Sequence, residues 1–278
     1  MTLTSDHCAK FRRLHETGCF VLPNPWDIGS AKALAHLGFK ALATTSSGFA
    51  WSIGRTDNAI TLEQALSHMR DIAGAVDIPV NADFEGGFAV DPDGVAAHVT
   101  AAVATGVAGL SIEDSTGDSA KPLFEFEHAV ARVRAARRAL DAAGSGIMLT
   151  GRSEGFIVGR PDMAETIRRL TAYAAAGAEC LYAPGLRNAA DMAAVVKAVA
   201  PHPVNILVSA NYSTVAEVAA LGARRISVGG ALARAAWAGF LAAANEIATL
   251  GTFTALEGAA KSGEIEKLLL PPAGGATG

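Results

Sequence analysis

Residues 79–88 read Pro79-Val80-Asn81-Ala82-Asp83-Phe84-Glu85-Gly86-Gly87-Phe88, a short apolar run that ends in two carboxylates and two glycines. Val80 to Phe84 reads as a buried strand that delivers acid groups to its C-terminal end. In an extended chain successive side chains alternate faces, so Asp83 and Glu85 leave on one face and Phe84 on the other. Two anions on one face repel unless something positive sits between them. Oxygen donors favour a hard divalent cation there, Mg²⁺ first and Mn²⁺ as the alternative. The glycines let the chain turn sharply and leave room for a small ligand. Taken alone, the stretch reads equally well as an ordinary strand end and a polar turn.

The chain on either side supplies the context. From residue 19 onward, short apolar runs alternate with Ala-rich helical stretches. Strand candidates are 19–22, 41–45, 80–84, 109–112, 147–151, 179–183, 204–208 and 225–228. Between them, apolar residues at three- and four-residue spacing predict helices over 27–37, 61–76, 91–105, 124–143, 161–176, 188–200, 213–221 and 230–249. Thr61 with Gln64, Asp91 before Pro92, and Ser213 or Thr214 before Val215 have the chemistry of helix starts. Gly38, Gly106, Gly177 and Gly222 stand where helices should stop.

Eight strand-helix units with continuous apolar strands predict a closed parallel (β/α)₈ TIM barrel, an α/β fold whose strands are covered on both sides. An open doubly wound sheet is the rival, but the first strand runs into Asn24-Pro25-Trp26-Asp27 with no G-x-G-x-x-G turn. The expected organisation is one barrel domain over residues 1–250, opened by an N-terminal helix. Residues 251–278 would then form a C-terminal helical extension and a flexible tail.

Composition narrows the function. The chain has 278 residues, half of them hydrophobic, and a net charge of −4 with scattered charges, so a nucleic-acid or anionic-membrane surface is not expected. Cys8, Cys19 and Cys180 are odd in number and lack C-x-x-C spacing, which speaks against a disulfide framework or a zinc site and for a reducing cytoplasm. No signal-like segment occurs, and no apolar run approaches the roughly 20 residues that span a bilayer.

Barrel chemistry sits where strands end. Those positions hold Asn24 to Asp27, Thr44 to Phe49, the loop from Gly54 to Asp57, Asp83 and Glu85, Glu113 and Asp114, Gly151 to Glu154, Tyr182, Asn211 and Ser227. Asp83, Glu85 and Glu113 are the candidate metal ligands; Asp57, Glu113 and Arg152 are the candidate catalytic groups. Trp26, Ser47, Gly48, Phe49, Arg152, Tyr182 and Asn211 are the candidate substrate contacts, with the amides of Ser47, Gly48 and Phe49 as an anion turn. Acids with one arginine suit a Mg²⁺-linked grip on a small 2-oxo acid. An ion pair between Glu113 and Arg152 that merely ties strands together is the structural alternative. No lysine falls at a strand end for Schiff-base chemistry, and Ser46 and Ser47 have no evident histidine partner.

With those residues in hand, the chain resembles the isocitrate lyase and phosphoenolpyruvate mutase superfamily from Leu22 to Gly230. Asn24-Pro25-Trp26-Asp27, Ser46-Ser47-Gly48, Gly54 to Asp57, Asp83-Phe84-Glu85-Gly86-Gly87-Phe88, Ile112-Glu113-Asp114 and Gly151-Arg152-Ser153 match its motifs in order. The resemblance implies a carbon–carbon lyase that takes Mg²⁺ and a small 2-oxo acid. It also implies a homo-oligomer, dimer or tetramer, in which residues 230–249 are the helix open to exchange between barrels. Departures sharpen it. Lyases of the superfamily carry K-[KR]-C-G-H in the loop after strand four, where this chain has Ser115 to Pro122 with no cysteine or histidine. Classical isocitrate cleavage is therefore not expected, and the chain resembles a carboxyvinyl-carboxyphosphonate phosphorylmutase-like member without that loop. The phosphonate branch tends to place a histidine after strand six, where Tyr182-Ala183-Pro184-Gly185 stands. Oxaloacetate-type decarboxylation or C–C cleavage is the expected activity. A 2-oxo acid binding protein without chemistry, and phosphoenolpyruvate or phosphonopyruvate mutase or hydrolase activity, are the alternatives.

Overall fold

A computed structural model describes residues 3–270; the tail expected over 271–278 lies outside the described residues. Helix α1 (Leu3–Glu16) leads into β1 (Phe20–Leu22), α2 (Ile28–His36), β2 (Leu42–Ala43), α3 (Ser46–Ser52), α4 (Leu62–Ala75), β3 (Val80–Asp83) and α5 (Pro92–Val103). Next come β4 (Gly109–Glu113), α6 (Phe126–Ala142), β5 (Met148–Arg152), α7 (Met163–Ala175), β6 (Cys180–Tyr182) and α8 (Ala189–Ala198). The chain continues through β7 (Val204–Leu207), α9 (Val215–Ala220), β8 (Arg225–Ser227) and α10 (Ala231–Leu250), then a 3₁₀ turn (Thr254–Leu256) and α11 (Ser262–Leu269).

All eight strands pair in parallel, in the order β1-β8-β7-β6-β5-β4-β3-β2. The ring closes just beyond β1, where Ala43 N donates to Pro23 O at 3.0 Å and Asn24 Nδ2 donates to Thr44 O at 2.9 Å. Asn24 Oδ1 accepts from Val228 N (2.9 Å) and Gly229 N (2.8 Å), so one buried amide joins the ends of β1, β2 and β8. This is the expected TIM-like barrel.

Local chemistry sets the element ends. Asp27, Thr61, Asp91 and Thr214 cap their helices, with full capping boxes at Asp27/Ser30, Thr61/Gln64 and Thr214/Glu217. Gly38, Gly106, Gly177 and Gly222 end helices with φ of +89°, +86°, +102° and +88°, a conformation that costs any side chain. One segment differs from expectation. Residues 46–52, which read as an open turn, form the short helix α3 because Thr45 acts as its N-cap and accepts from Gly48 N at 3.4 Å. Ser-Ser-Gly reads as turn chemistry, and only the cap residue before it reveals the helix.

The strands also alternate where continuous apolar runs were expected. Val80, Ala82, Leu110, Ile112, Leu149, Leu181, Ile206 and Ile226 belong to the apolar core. The intervening Asn81, Asp83, Ser111, Arg152, Asn205, Arg225 and Ser227 line a cavity. Period-two alternation thus turns one strand face to the helices and the other to a polar lumen. The far end of the barrel is stopped by α1. Phe11 is fully buried, and a Cβ on Gly109, at the start of β4, would sit 2.6 Å from its ring. His15 packs edge-on against Phe11 and Phe20 at centroid distances of 4.7 and 5.0 Å. No helix of the described residues is long and apolar enough to cross a membrane.

Truncating a fully buried aromatic removes its transfer free energy and leaves a cavity. Phe11→Ala is expected to lower unfolding free energy by about 3–5 kcal/mol, measured by urea denaturation. A change below about 1 kcal/mol would mean that α1 does not stopper the barrel.

Candidate active site

Asp83, the last residue of β3, is held on three sides. Its amide donates to Thr44 Oγ1 (2.8 Å), its Oδ2 accepts from both Ser46 N and Ser46 Oγ (3.0 Å each), and its Oδ1 accepts from Arg152 Nη1 (3.2 Å). The register of β2 against β3, Leu42↔Val80 and Ala43↔Asn81, brings Thr44 and Ser46 to it.

Arg152 ends β5 directly beside Glu113, which ends β4. Its Nη1 bridges Asp83 and Glu113 Oε2 (3.1 Å), and its Nε donates to Glu154 Oε1. Its guanidinium carbon lies 5.3 Å from the Tyr182 ring centroid, within cation–π range. Glu154 is placed from behind. Its amide donates to Asp114 Oδ1 (2.7 Å), while Asp114 Oδ2 accepts from Tyr173 OH (2.6 Å) and Arg169 Nη1 (3.1 Å) on α7. Asp114 therefore serves α7 and the framework, and Glu113 alone of that pair serves the rim.

The rim is overloaded with negative charge. Burial raises Glu113 well above the usual carboxylate range, against the pull of Arg152, and burial also raises Glu154. Glu85 is pushed up to about 8 by burial first and then by the charges of Asp83 and Asp57. Asp57 is raised by partial desolvation and by Asp83. The same acids, led by Glu113, outweigh the desolvation of Arg152 and hold its guanidinium charged. Tyr182 is pushed up to about 12, chiefly by burial, and stays a neutral phenol.

Glu85 does not reach the rim as a strand residue. β3 stops at Asp83, and Glu85 enters through a left-handed turn with φ +46°, fixed by a 3.0 Å bond from Glu113 N to its carbonyl. Its Oε1 is buried without a partner. An orphaned acid oxygen beside other carboxylates suits a hard cation. Among the described residues no group of three or more His, Cys, Asp or Glu side chains is arranged to hold a metal ion. The donors here are carboxylate oxygens, the type that Mg²⁺ takes one or two at a time while it retains several waters.

The cavity in front of this rim measures about 170 Å³ and is lined by Ser46, Ser47, Asp57, Asp83, Arg152 and Tyr182, among others. Other expected contacts fall elsewhere. Phe49 stacks on His68 at 3.9 Å, and its amide donates to Thr45 O within α3; the Gly48 amide is taken by Thr45 Oγ1. The three-amide anion turn is thus corrected to Ser47 at the cavity wall. Gly48 matters for closeness, since a Cβ there would lie 2.7 Å from Thr45 Cγ2 and 3.0 Å from Trp26 Cβ. Trp26 packs behind α3 outside the cavity lining, and Asn211 is exposed on the loop after β7. The asparagine that does line the cavity is Asn205, buried on β7. Ser46, Thr44 and Glu154 complete the site as positioning groups. Loop 115–122 folds back on itself, with Ser115 bridged to Leu123 and Thr116 N donating to Pro122 O at 3.1 Å. Cys8 and Cys180 are buried, Cys19 is half-buried, and none lines the cavity.

The chain has relatives of the same fold. The model of the phosphoenolpyruvate phosphomutase family matches residues 11–248. A candidate lyase/mutase of Burkholderia cenocepacia J2315 superposes with a TM-score of 0.94 at 44% identity, covering 98% of this chain and 99% of that one. A Mycobacterium tuberculosis (strain CDC 1551 / Oshkosh) protein of unassigned function is 33% identical over 221 residues, 79% of this chain and 81% of its own length. Oxaloacetate acetylhydrolase, solved with its product oxalate, superposes with a TM-score of 0.83 at 27% identity over 95% of this chain and 93% of that one.

The Glu85 carboxyl supplies a pH test. The unfolded chain gives up this proton near its ordinary 4.5 and the folded chain only near 8, so in metal-free protein stability falls as pH rises through that window. Glu85→Gln is expected to gain about 1–3 kcal/mol relative to the parent between pH 5 and 8, measured by urea unfolding with a chelator present. A gap that stays constant with pH would mean that the folded chain carries Glu85 ionised throughout.

Proposed function

The chain belongs to the phosphoenolpyruvate phosphomutase family, and we propose that it is a Mg²⁺-dependent enzyme acting on a small 2-oxo dicarboxylate through its enolate, by oxaloacetate-type decarboxylation or C–C cleavage. The superfamily comprises lyases and mutases acting on small 2-oxo acids. The observation that carries the reading is Arg152 Nη1 shared between Asp83 and Glu113 at the mouth of a cavity sized for a small acid.

Asp83, Glu85 and Glu113 would hold Mg²⁺ and its waters, with Asp57 ordering them from the loop after α3. The bound ion supplies Lewis-acid polarisation of the keto oxygen. Arg152 takes substrate carboxylate, Ser47 adds a polar contact from the wall, and Tyr182 covers the guanidinium face. Loop 115–122 closes the mouth against water. In decarboxylation the electrons of the breaking C–C bond pass to the enolate and carbon dioxide leaves; a proton from solvent water then reaches the enolate carbon as the site reopens and gives the 2-oxo product. That step asks the protein for charge stabilisation and no thiol acid.

A second reading has its own observation. Loop 115–122 offers no cysteine or histidine to deliver a proton, which suits a protein that binds 2-oxo acids without turning them over. The barrel domain would span residues 1–250 with 251–278 as an extension. The working form would be a homo-oligomer, because α10 buries only Ala233 and leaves Trp237, Phe240 and Leu241 uncovered.

The deciding experiment incubates purified protein with Mg²⁺ and oxaloacetate and follows pyruvate, oxalate and acetate. Turnover that Asp83→Ala reduces by about 10²-fold or more with an unchanged circular dichroism spectrum supports the enzyme. Mg²⁺-dependent calorimetric binding of pyruvate without any product supports the silent binder. Binding and turnover unaffected in Asp83→Ala would make the acidic rim structural. For the oligomer, light scattering is expected to give the mass of a dimer or tetramer; a monomer would remove that part of the proposal.

A further inference from the structure

Beneath the acidic rim the cavity ends on a second arginine. Arg225 opens β8, is 2% exposed, and lines the same cavity as Asp83 and Arg152. Its Nε donates to Asn205 Oδ1 (2.9 Å), its Nη2 to Thr150 Oγ1 (3.2 Å), and its Nη1 faces His15 Nε2 at 3.4 Å. Every one of these partners is neutral. His15 is held low, at about 3, by burial and then by the Arg225 charge, so its imidazole is neutral too.

Other buried arginines are treated differently. Arg152 and Arg169 face carboxylates. Arg132 lies outside the cavity lining, donates to the carbonyls of Glu113, Gly86 and Ala89, and stacks on Phe124. Arg225 alone among these combines burial, a place on the cavity wall and no anion. A buried charge without a counter-charge is expensive. On β3, in the wall of the same cavity, the buried amide oxygen of Asn81 has no hydrogen-bond partner. Both features mark the cavity as built to meet a ligand.

Thr150, which holds the Arg225 fork, and Arg152 lie two residues apart on β5, roughly 6.5 Å along the strand, and both arginines line one cavity. A small dicarboxylate can reach from one to the other. The geometry points to Arg225 as the floor of an anion subsite that takes the second carboxylate of a short dicarboxylic ligand whose first carboxylate is held at the rim. The inference rests on the reading of the rim given above. It assigns Arg225 as the residue that distinguishes dicarboxylates from monocarboxylates, with Thr150 and Asn205 orienting its fork.

Calorimetry in Mg²⁺ buffer with pyruvate, succinate and succinamate tests it. Wild-type protein should bind succinate at least about 30-fold more tightly than succinamate, which replaces one carboxylate by a neutral amide of similar shape. In Arg225→Gln that gap should shrink below about threefold while pyruvate affinity changes by less than about threefold. Arg225→Lys should restore part of the gap. Equal binding of succinate and succinamate by wild-type protein overturns the inference while leaving the rim intact, and needs no variant to fold. A full gap surviving in Arg225→Gln also overturns it. Failure of wild-type protein to bind pyruvate at all overturns the rim reading, and the subsite with it.

Discussion

Arg152 is one positive charge set among more negative ones than it can neutralise. It touches Asp83, Glu113 and Glu154, and Glu85 and Asp57 stand close enough for their charges to be felt. Removing charges from water is costly, and an excess of one sign cannot be relieved by geometry. The folded chain therefore has two ways to balance the rim: keep protons on some acids, or take up a cation. The upward shifts of Glu85 and Glu113 express the first, and the partnerless Oε1 of Glu85 would serve the second. Metal uptake would then release protons from the rim.

The same constraint explains the unusual interior. Barrels commonly fill their centres with branched apolar side chains. Here the inward strand positions carry Asn81, Ser111, Thr150, Asn205, Arg225 and Ser227, and the apolar core lies in the shell between strands and helices. A polar lumen needs a plug at one end, and Phe11 with His15 and Phe20 provides it. Arg225 sits just inside that plug. Its neutral partners hold it in place without cancelling its charge, which leaves the cavity positive at depth and mixed at the mouth.

What could be read from sequence divides along the range of the interactions. Strand positions, helix caps and the residues at strand ends depend on neighbours a few positions away, so Asp83, Glu113, Arg152 and the Thr61/Gln64 box are legible. Thr44 and Ser46 become partners of Asp83 only through the register of β2 on β3, which no local pattern encodes. Glu154 adjoins a recognisable arginine, yet its position depends on Asp114, Arg169 and Tyr173, contributed by two other elements. Asn211 stands exposed on its loop and outside the cavity wall, and loop residues carry no period from which to read direction. Arg225 reads as the charged edge of a strand, and only closure of the ring turns that edge into a floor.

Binding and proton delivery are carried by different parts of this barrel. The groups that would grip a 2-oxo acid stand on the ends of β3, β4 and β5, tied to one another by the sheet. Proton delivery in the lyases that the chain resembles comes from the loop after the fourth strand, and here that loop is a closed turn of hydroxyls, one aspartate and Lys121. Tyr182, at about 12, can donate a hydrogen bond but gives up its proton poorly near neutrality. A reaction that needs only enolate stabilisation survives such a change, because its demand falls on the strands. A reaction that needs a timed proton at carbon does not, because its demand falls on the loop.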